Sequence, residues 1–183
     1  MTELEQSLAW TNLPVPDVLP QLSTSQQQQI ISWAENIVSS KTEGLDELYT
    51  AISMIVRYIP NFVVIPLMVE HIKPQIAAGV CIKLGVEQAT GYANDLPKEY
   101  FDKVSKHLDA ELMARILENM KKHLAERFIE SELKANLPRM LDIARHLNRR
   151  MLEVVAKHFT PPQEKSMPST IHQSLIEQIV ALQ

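Results

Sequence analysis

The stretch LPKEYFDKVSKHLDAELMARILENM, from Leu96 to Met120, decides the fold. It predicts two short helices that meet between Leu108 and Asp109, because Asp109 can cap the second helix. After that cap, apolar side chains recur at the 3.6-residue period of a helix with one buried face. These side chains are Leu112, Met113, Ile116, Leu117 and Met120. The stretch is therefore an amphipathic helix pair that must bury one face against its neighbours.

The same pattern recurs on both sides of this stretch. About 39 residues later, Asn148 takes the capping position, and the apolar positions hold Met151, Leu152, Val155 and Phe159. About 36 residues earlier, they hold Ile76, Ala77, Val80 and Leu84. A helical period of about 36 to 39 residues is typical of stacked α-solenoid repeats.

We therefore predict an all-α fold, a right-handed superhelix of roughly eight to ten short helices with three related repeats. The predicted core includes Leu112, Ile116, Val80, Val155 and Phe128. Residues 1–44 are predicted to form a proline-rich strap and a capping helix, residues 45–160 the repeats, and residues 161–183 a linker and a docking helix. The docking helix, from Thr170 to Leu182, has an apolar face that must cover its own repeats or exchange with a second copy in a homodimer.

The number of cysteines and the composition of residues 1–7 indicate the cellular compartment of the protein. The only cysteine, Cys81, is predicted to be a buried, inert thiol, which excludes an internal disulfide and suits a reducing compartment. Residues 1–7 carry two glutamates and no basic residue, unlike a signal peptide. We therefore predict a cytoplasmic protein.

The run from Leu48 to Val69 has the length of a membrane span and a single charge, Arg57. Pro60 and Pro66 interrupt it, and the repeat pattern continues through it. We therefore predict that this run is the buried central layer of the superhelix and does not cross a membrane.

The sequence offers no catalytic set, because it lacks a glycine-rich phosphate loop, a nucleophile elbow and a zinc-binding motif. His71, His107 and His146 recur at one repeat position near helix ends, where a histidine interacts favourably with the helix dipole. Stacked repeats lie about 8–10 Å apart, too far for these histidines to share one ion. We predict no catalytic residue, no metal site and no cofactor.

A basic cluster is the one candidate binding patch, because the arginine fork suits carboxylates and phosphates. Its members are Arg139, Arg145, His146, Arg149 and Arg150. The alternative is a solvated face on which these arginines pair with Asp142 and Glu153. The formal net charge of −4 disfavours nucleic acid as the partner.

The phrase DLPKEYFDKVSKHLDAELMARILENM, which ends at Met120, resembles the intracellular N-terminal domain of MgtE magnesium transporters. That resemblance implies a right-handed superhelix of short helices, and it transfers no metal-binding residue to this chain. HEAT and armadillo arrays account for the same periodicity.

These patterns favour a non-enzymatic scaffold or regulatory module that binds a protein or peptide, because stacked repeats present an extended surface. The alternative is a small-ligand or anion sensor, or an enzyme, with a pocket between the 48–69 layer and neighbouring helices. A deep cavity would favour the alternative, and a shallow groove would favour the scaffold.

Overall fold

A computed structural model of the chain describes residue 16, residues 18–160 and residues 170–182. These residues form helices and no β-strand, so the all-α prediction is confirmed for them. After a 3-10 turn at Leu19–Gln21, the helices are α1 (Thr24–Thr42), α2 (Leu45–Val56), α3 (Asn61–His71), α4 (Pro74–Leu84), α5 (Val86–Asp95), α6 (Lys98–Ser105), α7 (Ala110–Asn119), α8 (Lys122–Ala135), α9 (Leu137–Ala144), α10 (Arg149–His158) and α11 (Thr170–Val180). Most of the predicted strap and the predicted linker at 161–169 lie outside the described residues.

The chain divides into two compact units, Met1–Leu48 and Tyr49–Gln183, and the division falls inside α2. In the first unit, α1 begins with a capping box. The Ser23 hydroxyl accepts a hydrogen bond from the Gln26 backbone N–H at 3.4 Å. The Gln26 side-chain oxygen accepts one from the Ser23 backbone N–H at 3.0 Å. The start of α1 is therefore set by hydrogen bonds between Ser23 and Gln26, and not by the position of apolar residues.

In the second unit, the joint predicted inside Leu96–Met120 is confirmed. α6 ends at Ser105, and α7 begins after Asp109, whose Oδ1 accepts a hydrogen bond from the Leu112 N–H at 2.7 Å. Asn148 caps α10 in the same way, through Oδ1 and the Met151 N–H at 3.0 Å. The helices α7 and α10 thus begin with the same kind of side-chain N-cap.

One continuous core runs through the helices from α4 to α11. Four of the five predicted core residues are buried: Ile116, Val80, Val155 and Phe128. Leu112 is only half-buried, because the most buried side chains of α7 centre on Met113 and Leu117 and leave Leu112 at the margin.

Side chains also tie helix ends to elements farther along the chain. Each such bond satisfies a backbone carbonyl at or just beyond the end of an earlier helix, where no intrahelical partner is available. The bonds run from Tyr92 to Val56 at 3.2 Å, from Tyr100 to Ile72 at 2.7 Å, and from Arg139 to Ser105. The residues that they join lie between 28 and 36 positions apart.

The final helix, α11, packs against α9 and α10 of the same chain. Leu175 and Ile179 are buried there, and the His172 ring nitrogen Nε2 lies 2.7 Å from Asp142 Oδ1. The apolar face of α11 thus packs on α9 and α10. Exchange of α11 in a homodimer stays a prediction, because a swapped helix makes the same contacts.

The prediction that residues 48–69 are a buried layer is wrong. Ile55, Tyr58 and Phe62 are exposed at 62%, 84% and 79%. α2 and α3 precede the core, which begins at α4, and both helices are apolar on more sides than their neighbours can cover. We call the exposed surface the α2–α3 apolar face, which comprises Met54, Ile55, Tyr58, Phe62, Val63 and Leu67. None of the helices described is long and apolar enough to cross a membrane.

Candidate functional site

Arg139, the first member of the predicted basic patch, is held inside the fold. Its Nη1 donates to Glu132 Oε1 at 2.8 Å, and its Nη2 donates to the Ser105 backbone oxygen. Glu132 is buried, so this pair compensates an acidic charge that would otherwise be costly. Arg139 therefore joins α6, α8 and α9 and does not offer its guanidinium to a ligand.

The other four members of the patch are exposed around the joint between α9 and α10. Arg149 Nε lies 3.6 Å from Glu153 Oε1, which is the pairing expected for a solvated face. Among the described residues, neither Arg145 nor Arg150 forms an ion pair. The structure thus keeps Arg145, His146, Arg149 and Arg150 together at the surface and removes Arg139 from them.

A polar cleft of about 490 Å³ lies beside Arg150 in the second unit. Three acidic and three basic side chains line it: Glu118, Glu126, Glu153, Lys122, Arg150 and Lys157. All three carboxylates already have partners. Glu118 accepts from the Asn148 N–H at 2.6 Å, Glu126 accepts from Lys157 at 2.7 Å, and Glu153 pairs with Arg149 as described above. The balance of charge gives the cleft no clear preference for an anion or a cation.

Glu126 is the most perturbed carboxylate of this cleft. Hydrogen bonds from Lys157, at 2.7 Å, and from His158 Nε2, at 2.9 Å, lower its pKa from 4.5 to about 2. A carboxylate with that pKa is a poor general base near neutral pH. The cluster therefore stabilises the contact between α8 and α10 and does not resemble an acid–base pair.

The second cavity is apolar and lies between α2, α3, α4 and α5. Its volume is about 200 Å³, and every side chain that lines it is apolar except those of Cys81 and Tyr92. Burial raises the pKa of the Cys81 thiol to about 11, which confirms the prediction of a buried, inert cysteine. This cavity adjoins the α2–α3 apolar face, because Leu67 belongs to both.

Within the described part of the chain, no three or more His, Cys, Asp or Glu side chains form a group that could hold a metal ion. The three recurring histidines, His71, His107 and His146, are exposed. His71 Nε2 lies 3.8 Å from the neighbouring Glu70, and its place at the end of α3 fits the expected interaction with the helix dipole. The histidines with close partners are His158 and His172, which the repeat pattern did not single out.

Neither a protein family, nor a curated protein, nor a solved structure was found to match the chain. The resemblance of Leu96–Met120 to the MgtE N-terminal domain, and to HEAT-like arrays, therefore stays a prediction from the sequence.

Proposed function

We propose that the protein is a non-enzymatic, cytoplasmic interaction module that binds a protein or peptide partner on the α2–α3 apolar face. The observation that carries this proposal is the exposure of large apolar side chains on two successive helices and the turn between them, with Tyr58 in the turn and Phe62 in α3 the most exposed. Contiguous exposed apolar surface on a protein commonly marks an interaction site. Aromatic side chains such as these two are also enriched where binding energy concentrates.

The chemistry of the face defines the partner. From Leu48 to Val69 the only charged side chain is Arg57, so a highly charged partner would lose hydration and gain at most one ion pair. An amphipathic helix that offers its own apolar stripe fits this face, as in other helix-in-groove complexes. The partner is therefore a helical segment with aliphatic or aromatic anchors.

The superhelical arrangement of the second unit is part of the same proposal. Its support is that the principal helix contacts join elements no more than two positions apart in the chain. The shared caps at Asp109 and Asn148, about one repeat apart, agree with it. Helices that contact only near neighbours are typical of repeat proteins, and the first repeat then has a neighbour on one side only. Such an end requires a cap or a partner.

Photo-crosslinking tests the proposal. A photoreactive amino acid at Phe62 should crosslink a defined partner in the native cell, whereas the same group at the exposed Arg115 should not. Adding Tyr58→Ser to the position-62 probe should abolish the crosslink and leave the melting temperature unchanged, because Tyr58 is exposed. Equal crosslinking from positions 62 and 115 would reject the face as the binding site.

An anion-binding role is the second candidate, and one observation favours it. Arg149 and Arg150 lie in the first turn of α10, where positive charge opposes the helix dipole at a cost of about 0.3–1 kcal/mol each. An acidic peptide or a phosphate would relieve that cost. In this case Arg150→Gln should weaken the binding of a phosphopeptide, whereas Arg139→Gln should act only on stability.

A further inference from the structure

The apolar cavity between α2, α3, α4 and α5 has the properties of a ligand site. Apolar side chains from α2, α3 and α4 form most of its wall, and α5 contributes one tyrosine. Representative residues are Ile52, Val64, Ile76, Val80, Leu84 and Tyr92. No charged side chain lines it. A ligand bound there would be recognised by shape and by loss of apolar surface to water.

The two polar groups at the wall do not prepare the cavity for water. The Tyr92 hydroxyl donates its hydrogen to the Val56 carbonyl at 3.2 Å. The Cys81 thiol is a weak donor and stays neutral. A buried water requires about two to four polar partners, so the cavity cannot hold an ordered water well. A hydrocarbon group that enters the cavity therefore displaces no well-bound water, and its entry costs few hydrogen bonds.

The cavity is accessible and has a definite size. Leu67 and Ile72 belong to its wall and are exposed at 55% and 37%, so this part of the wall reaches the surface. An apolar cavity of about 150 Å³ is known to bind benzene. At about 200 Å³, this cavity is somewhat larger. If the number of carbon atoms scales with cavity volume, this cavity accommodates a group of roughly six to eight carbon atoms.

We propose that this cavity binds an uncharged hydrocarbon group of about six to eight carbon atoms, as the whole or the tail of a small-molecule ligand. This site adjoins the α2–α3 apolar face and shares Leu67 with it, but its occupant is a small molecule and not a helix. It specifies the small-ligand alternative that the sequence left open, and it does not depend on protein binding.

Toluene is the probe, and benzoate is its charged counterpart of the same size. In methyl NMR spectra of the full chain, toluene should shift the methyl signals of Ile52 and Ile76 saturably. It should leave those of the exposed Ile55 and Ile82 unchanged. At ten times its Kd, toluene should raise the melting temperature by about 3–6 °C. Benzoate should produce neither effect, because the wall offers no cation to its carboxylate.

Two adjacent substitutions on α3 locate the binding. Val64 belongs to the wall of the cavity, whereas Val63 is exposed and does not. Val64→Phe should fill the cavity and weaken toluene binding at least tenfold, whereas Val63→Phe should leave the Kd unchanged. Equal Kd values in the two variants would overturn the proposal.

The wild-type spectra decide the question if Val64→Phe does not fold. Shifts centred on Ile52 and Ile76 support the cavity, whereas an absence of saturation, or shifts centred on Ile55 and Ile82, rejects it. Crosslinking from position 62 is a separate measurement. A failure of ligand binding is therefore distinguishable from a failure of partner binding.

Discussion

The helix pair α2 and α3 and the helix pair α7 and α10 show opposite relations between composition and burial. α3 contains Glu70 as its only acidic residue and no lysine or arginine, yet no side chain along it is fully buried. α10 carries Arg149, Arg150, Glu153 and Lys157, yet Met151, Val155 and Ala156 are buried. The difference is periodicity. α10 separates its polar and apolar residues onto two faces, whereas α3 is apolar on all sides and has neighbours on only some of them.

The largest expected difference between the two regions comes from a matched pair of isoleucines. Ile116 is 1% exposed in α7, so Ile116→Ala should lower the free energy of unfolding by about 2–5 kcal/mol. Ile55 in α2 is exposed, so Ile55→Ala should change it by less than about 0.5 kcal/mol. Urea denaturation measures both. Similar losses for the two variants would show that the α2–α3 apolar face is covered in solution.

A second matched pair separates the arginine inside the fold from an exposed one. Arg139→Met should lower the free energy of unfolding by about 3 kcal/mol, because the buried Glu132 would lose its partner. Arg149→Met should have almost no effect on stability, since its ion pair with Glu153 is exposed. Chemical denaturation at low and high salt checks this. A loss for Arg139→Met that vanishes in high salt would contradict the buried pairing.

Two helical glycines test how firmly α2 is attached to α4. A methyl group at Gly79 would overlap the ring of Tyr49, which comes from α2. At Gly91 in α5, the nearest atom is Asn61 Nδ2 at 4.0 Å. Gly91→Ala should therefore stabilise the protein by about 0.5–1 kcal/mol through helix propensity.

Gly79→Ala gains the same propensity, but it must displace Tyr49, and the net result should be a loss of about 1 kcal/mol. Calorimetry of the two variants gives the comparison. Equal stabilisation by both would mean that α2 moves away from α4 at little cost.

The smallest expected effect depends on pH and concerns the contact between α8 and α10. The pKa of Glu126 falls from 4.5 to about 2 on folding, so its contribution is complete above pH 4.5 and is lost as the pH falls toward 2. Glu126→Gln should therefore lower the melting temperature at pH 7 and have little effect near pH 2. In a Lys157→Met background, the effect of Glu126→Gln at pH 7 should shrink. The idea fails if the two substitutions are additive at pH 7.

The sequence predicts those parts of the fold that depend on neighbouring residues. The caps at Asp109 and Asn148 and the buried faces of α7 and α10 follow from local spacing, and the structure confirms them. The burial of residues 48–69 could not be predicted in the same way, because apolar content does not reveal how many sides of a helix have neighbours.

The site was predicted less completely than the fold, for a related reason. In the sequence, Arg139 and Arg149 are both arginines of one basic cluster, and nothing local distinguishes them. Only tertiary packing makes Arg139 the partner of the buried Glu132 and leaves Arg149 at the surface. The apolar cavity joins residues from four helices, and no spacing in the sequence marks that convergence. The acidic residue seven positions before Arg139 was the one available signal, since Glu132 and Arg139 form their ion pair across the turn between α8 and α9.

The bonds from Tyr92, Tyr100 and Arg139 to earlier carbonyls also bear on how the chain is made. Each carbonyl belongs to a helix end that the ribosome synthesises 28 to 36 residues before it adds the donor residue. At about 5–20 residues per second, the donor follows after roughly one to seven seconds. During that interval, water is the hydrogen-bond partner of the carbonyl at the nascent helix end. We therefore expect the three hydrogen bonds to form one after another during synthesis, first that of Tyr92, then that of Tyr100 and last that of Arg139.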